Sequence, residues 1–155
     1  MSDDSSIYLE AFNLLCNERI GYGMSRHVFD SLLLPDCVIK VEQGAGRFQN
    51  VMEWEAWQKL KWTKHSAWFA ACHWISPNGR VLVMEKTQRP GPDAFPERLP
   101  VYLTDTKRTN YGLSMATDPK TGKPATRFVC HDYGTCLLME SGMTSRTRKV
   151  DWIDA

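Results

Sequence analysis

The sequence predicts an α+β fold in a single domain: a small sheet with a packed helix, then a shorter C-terminal part. Three observations carry this. Short apolar runs recur between turn signals such as Leu34-Pro35-Asp36 and Pro77-Asn78-Gly79, which is strand texture. Two other stretches, 6–17 and 49–62, space their apolar residues three or four apart, which is helix texture. Residues 88–100, QRPGPDAFPERLP, hold four prolines and a glycine and read as a linker between 1–87 and 101–155.

Taken in order, SIYLEAFNLLCN at 6–17 sets Ile7, Phe12, Leu14 and Leu15 near one helical face. Strands are predicted running into Gly21, across 26–33 and across 37–42. The helix over 49–62 carries Trp54, Trp57, Leu60 and Lys61 at helical spacing. Strands follow at 70–75 and 80–86, around the turn Pro77-Asn78-Gly79. Beyond the linker, short strands are expected near 101–104, 111–116 and 126–131. Asp118-Pro119 and Thr121-Gly122-Lys123 form a hairpin tip between the last two.

Composition bounds the function. With 155 residues and 43% hydrophobic content, the chain can bury a core. The acidic, polar start MSDDSSIYLE is unlike a secretion signal and no run approaches a membrane helix, so a soluble, cytoplasmic protein is expected. The five cysteines, Cys16, Cys37, Cys72, Cys130 and Cys136, form no C-x-x-C pair, which argues against a disulfide framework or zinc ribbon. His65, Cys72 and His73, or Cys130, His131 and Cys136, match no closed zinc spacing. A net charge of +1 argues against a general nucleic-acid binder, although Arg146-Thr147-Arg148-Lys149 is locally basic. Lys120-Thr121-Gly122-Lys123-Pro124 lacks the leading glycine of a phosphate loop, and no nucleophile elbow is present.

Six stretches stand out. Gly21-Tyr22-Gly23-Met24-Ser25-Arg26-His27-Val28 joins two strands through glycines. Cys37-Val38-Ile39-Lys40-Val41 places a lysine inside an apolar strand. The helix that follows carries Glu53 and Glu55. Glu53, four residues before Trp57, lies on the apolar side, and Glu55 points away from it. Leu82-Val83-Met84-Glu85-Lys86 is a buried-type strand. Asp105-Thr106-Lys107-Arg108-Thr109-Asn110 and, one hairpin later, Asp132-Tyr133-Gly134 complete the set.

In order and spacing these stretches resemble the protein-kinase-like fold, in a miniature form similar to compact bacterial and phage kinase-like proteins. The resemblance covers about residues 18–138. It implies an N-lobe-like antiparallel sheet with one packed helix, then a minimal remnant bearing catalytic-loop-like and D-F-G-like segments. It also implies ATP and Mg2+ as cofactors. Gly21 and Gly23 would bring backbone to the phosphates, Lys40 would meet the α- and β-phosphates with Glu53 as its carboxylate partner, and the strand around Met84 and Glu85 would meet the adenine. Asp105 would serve the acceptor hydroxyl, Lys107 would balance charge at the transferred group, and Asn110 and Asp132 would hold magnesium.

The chain departs from the family where His-Arg would precede Asp105, and it lacks the helices between hinge and catalytic loop and the large helical lobe after Asp132. Two function classes follow. One is a minimal phosphotransferase acting on a protein hydroxyl or a small molecule. The other is a kinase-like binding or inhibitor module, of a kind a virus would encode, working by protein–protein contact. Self-association or a host-protein partner is expected in either case, to cover the surface a helical lobe would bury.

Overall fold

A computed structural model describes residues 4–22, 26–44, 48–117, 121–134 and 144–154. The chain divides into two compact units, residues 1–51 with 72–86 and residues 52–71 with 87–155.

The first unit is built on an antiparallel sheet of five strands: β1 (Arg19–Tyr22), β2 (Arg26–Asp30), β3 (Cys37–Glu42), β4 (Cys72–Ile75) and β5 (Val81–Glu85), ordered β1-β2-β3-β5-β4. Helix α1 (Asp4–Leu15) precedes it. Side chains alternate across a strand, so Cys37, Ile39 and Val41 of β3 share one face. They pack there with Leu15, Cys16, Phe29, Val81 and Val83. Three strands, a helix and two strands follow one another as the sequence predicts, an order compatible with a kinase N-lobe-like arrangement.

The expected strand across 26–33 stops at Asp30. Beyond it the backbone turns: the N–H groups of Leu32 and Leu33 donate to the Leu14 carbonyl (3.0 and 3.2 Å), and Leu34 N–H donates to Ser31 Oγ. The Leu32 and Leu33 amides satisfy the end of α1, and none of the three is available to a sheet. At the β4–β5 turn Gly79 has φ +73°, and a Cβ there would come within 2.7 Å of Val51 Cγ2.

The second unit takes most of α2 (Gln49–Leu60), whose first three residues belong to the first unit. Thr63 closes this helix, its hydroxyl donating to the Leu60 carbonyl at 2.8 Å. A 3-10 turn (Lys64–Trp68) follows. Two short antiparallel pairs complete the unit: β6 (Arg98–Pro100) with β9 (Thr147–Lys149), and β7 (Tyr111–Ser114) with β8 (Arg127–Cys130).

The strand expected near 101–104 lies instead at Arg98–Pro100, inside the proline-rich stretch, because its pairing partner is Thr147–Lys149. After Pro100 the chain turns, with Leu103 N–H donating to the Pro100 carbonyl. Aromatic rings form the interior. Phe69 stacks on Tyr102 and meets Tyr133 edge-on with centroids 4.9 Å apart. Phe95, Tyr111, Phe128 and Trp152 form a second cluster, with Trp152 5.0 Å from both Phe95 and Tyr111.

Candidate functional site

In the first unit Lys40 stands opposite Val28 and Leu82 and is only 3% exposed. By alternation it projects from the face opposite the Ile39 cluster. A polar network fixes this strand to the start of α2. Asn50 Nδ2 donates to the Lys40 carbonyl at 3.0 Å, Arg26 Nη1 donates to Asn50 Oδ1 at 3.2 Å, and the Asn50 N–H donates to Glu42. The Glu42 carboxylate thus takes up an amide at the helix N-terminus, where a negative charge is favourable. Gly21 lies in β1 beside a register shift, and Gly23 falls outside the described residues. Glu85 ends β5 opposite Cys37 and is buried. Burial, with the Asp36 and Glu85 carboxylates, pushes the Cys37 thiol up from its ordinary value, which leaves it a poor nucleophile.

In the second unit the segment from Asp105 to Asn110 is held as a tight loop. Asp105 Oδ1 accepts the Lys107 N–H (3.2 Å), and the Tyr111 hydroxyl donates to the Asp105 carbonyl (2.8 Å). The loop also pairs with the chain near residue 153: Arg108 N–H donates to the Ile153 carbonyl and Ile153 N–H to the Thr106 carbonyl (2.9 and 3.0 Å). Arg108 adds an ion pair, its Nε lying 2.9 Å from Asp154 Oδ1, and its guanidinium sits 4.7 Å over the Phe95 ring. Asp105 and Lys107 are exposed, whereas Asn110 is buried.

His131 joins this loop to Asp132. Its N–H donates to the Asn110 carbonyl at 2.9 Å. Its Nε2 lies 2.8 Å from the Thr109 carbonyl and its Nδ1 2.8 Å from Thr87 Oγ1. A carbonyl only accepts, so Nε2 carries the proton, and in the neutral ring Nδ1 accepts from the Thr87 hydroxyl. Gly112 makes room for this arrangement: a Cβ there would fall inside the Thr87 side chain and 3.0 Å from His131 Nδ1.

The next residues are anchored by α2. Glu53 is fully buried, and its Oε2 accepts the N–H groups of Tyr133 (2.8 Å) and Gly134 (3.1 Å). Glu55, two residues on and so near the opposite side of the helix, is exposed, as helical spacing predicts for the pair. Tyr133 is fixed at its other end too, its hydroxyl donating to the Ala70 carbonyl at 2.8 Å. Asp132 itself is exposed. Two bound amides behind it and the His131 bonds before it restrict the backbone from which its carboxylate projects.

Asn110 carries an amide oxygen and Asp132 a carboxylate. Oxygen donors of this type are the kind magnesium takes, one or two from protein and the rest from phosphate and water. Among the described residues no group of three or more His, Cys, Asp or Glu side chains gathers as a self-sufficient metal cage. Sequence reasoning missed the roles of Arg26, Glu42, Thr87 and His131. The signal for His131 was its place directly before Asp132.

No family model matches the chain, and no curated protein matches it. Among solved structures it is similar to an aminoglycoside phosphotransferase, in the streptomycin-ATP-APH(2")-IIa ternary complex, at a TM-score of 0.40 and 23% sequence identity. The match covers 58% of this chain and 31% of that one, so the chain spans about a third of the solved protein's length.

Proposed function

We propose that this chain is an ATP- and magnesium-dependent phosphotransferase whose acceptor is a hydroxyl on a protein or a small molecule. The observation that supports it best is the bonding of His131. It ties the loop bearing Asp105, Lys107 and Asn110 to Asp132, so the oxygen donors and the exposed acceptor-side carboxylate belong to one bonded assembly.

In this reading Asn110 and Asp132 hold magnesium, which when bound neutralises charge on the phosphates. Lys40 meets the α- and β-phosphates, and the backbone at Gly21 and Gly23 approaches them. Backbone groups near Met84 and Glu85 receive the adenine. Asp105 orients the acceptor hydroxyl and takes its proton, and Lys107 balances charge on the transferred group. Glu53 acts through the Tyr133 and Gly134 amides and is a positioning residue.

The test is transfer of the γ-phosphate from ATP with magnesium to a panel of protein and small-molecule acceptors, alongside nucleotide-induced stabilisation. Transfer that disappears in Asp105→Asn supports the reading. Absence of both stabilisation and transfer in the wild type overturns it.

A further inference from the structure

Helix α1 has an apolar arc far wider than the part it buries. Ile7, Tyr8, Ala11, Phe12, Leu14 and Leu15 span roughly 160° of its circumference at 3.6 residues per turn. Only its C-terminal end touches the sheet: Phe12 meets Phe29 edge-on at 6.2 Å while staying half exposed, and Leu15 is half-buried against the sheet. Ile7 is 61% exposed, Tyr8 73% and Leu9 61%. The surface continues into the turn bonded to the end of the helix, where Leu32 is 60% and Leu33 57% exposed. A helix of twelve residues is marginal in water without tertiary packing, and a continuous exposed apolar face of this kind marks an interaction surface.

Charge selects the occupant. Residues 5–18 carry Glu10 and Glu18 with no lysine or arginine, and residues 30–36 carry Asp30 and Asp36 with none. Arg19 stands at the border. Placing α1 against α1 of a second copy would set acidic residues against acidic residues, and an anionic membrane would meet the same repulsion. We infer that α1 and the Leu32–Leu34 turn dock a basic amphipathic helix of a partner protein. Its apolar stripe lies on Ile7, Tyr8 and Leu33, and its flanking lysines and arginines face Glu10 and Asp36.

The test uses isotope-labelled full-length protein and two synthetic amphipathic helices of equal length, one of leucine and lysine, one of leucine and glutamate. The lysine peptide is expected to shift the amide signals of α1 and of Leu32–Leu34, to bind roughly tenfold or more tightly than the glutamate peptide, and to weaken with added salt. The double variant Ile7→Ser with Leu33→Ser replaces exposed side chains, so it should keep the wild-type melting temperature while losing roughly tenfold or more of the lysine-peptide affinity. Equal binding of the two peptides, shifts confined to other residues, or undiminished binding by the double variant would overturn the inference. So would dimerisation through α1 or binding to anionic lipid vesicles through it.

Discussion

The Glu53 carboxylate accepts the backbone N–H of Tyr133 at 2.8 Å, so a helix side chain eighty residues away fixes the segment that follows Asp132. The same oxygen takes the Gly134 N–H. Removing it leaves two buried donors without an acceptor, each costing about 1–3 kcal/mol. Glu53→Ala should therefore destabilise the protein by about 2 kcal/mol or more, and exposed Glu55→Gln by less than about 0.5 kcal/mol. Urea denaturation of both variants checks this. Equal, small losses would show that the Glu53 bonds contribute nothing net.

Gly112 is expected to tolerate no side chain. Its missing Cβ is the space that Thr87 and His131 Nδ1 occupy. Gly112→Ala should cost about 1–3 kcal/mol by overpacking and should disturb the Thr87–His131 bond. Nitrogen NMR of the His131 ring reports this directly. The wild type should show the Nε2–H tautomer, and the variant a changed Nδ1 signal. An unaltered ring spectrum would contradict the arrangement.

Trp152 should matter beyond its own segment. Its ring packs on Phe95, Tyr111 and Phe128, and its Nε1 donates to the Pro96 carbonyl at 2.9 Å. The neighbouring Ile153 pairs with the backbone of Thr106 and Arg108. Trp152→Ala is expected to cost about 3 kcal/mol and to raise hydrogen exchange in residues 105–110. Exchange unchanged in that loop would show that the loop does not depend on the segment.

These contacts mark where the sequence was legible. Strand β3, Cys37–Glu42, and the helix starting at Gln49 follow from local periodicity, which one chain carries in full. The burial of Glu53 rather than Glu55 follows from helical geometry, because α2 buries one face, that of Asn50, Glu53 and Leu60, and Glu55 lies off it. The pairing of Arg98–Pro100 with Thr147–Lys149 spans about fifty residues and has no local signature, so that strand was expected a few residues too late. The overlong strand at 26–33 has a similar cause. Leu32 and Leu33 are apolar enough for a strand, but their amides are taken by Leu14, a partner that periodicity does not reveal. Asp105, Asn110 and Asp132 were singled out through the resemblance to kinase-like catalytic-loop and D-F-G segments, whereas the bonds of His131 to Thr87 and Thr109 needed coordinates.

Lys40 tests the nucleotide side of the proposal separately from the fold. Its side chain is buried on an apolar strand, so Lys40→Met keeps the aliphatic stem and should leave the ligand-free melting temperature within a few degrees of wild type. Stabilisation by ATP should fall sharply, since the phosphates lose their cation. Undiminished ATP stabilisation in this variant would remove Lys40 from the site.

The central claim is magnesium-dependent phosphoryl transfer, and one paired measurement addresses it: melting temperature and γ-phosphate transfer, both with ATP and magnesium, for wild type, Asp132→Asn and Asp105→Asn. A ligand that binds only the native state raises its stability by mass action, about 2.7 kcal/mol at a hundred times its Kd. The wild type should show the rise and the transfer. Asp132→Asn should lose the magnesium-dependent part of the rise, because a neutral amide is a poorer ligand than a carboxylate. Asp105→Asn should keep the rise and lose transfer, because that carboxylate serves the acceptor. A wild type with no nucleotide-dependent rise at millimolar ATP would contradict the account, and a rise without transfer would leave a nucleotide-binding module in place of an enzyme.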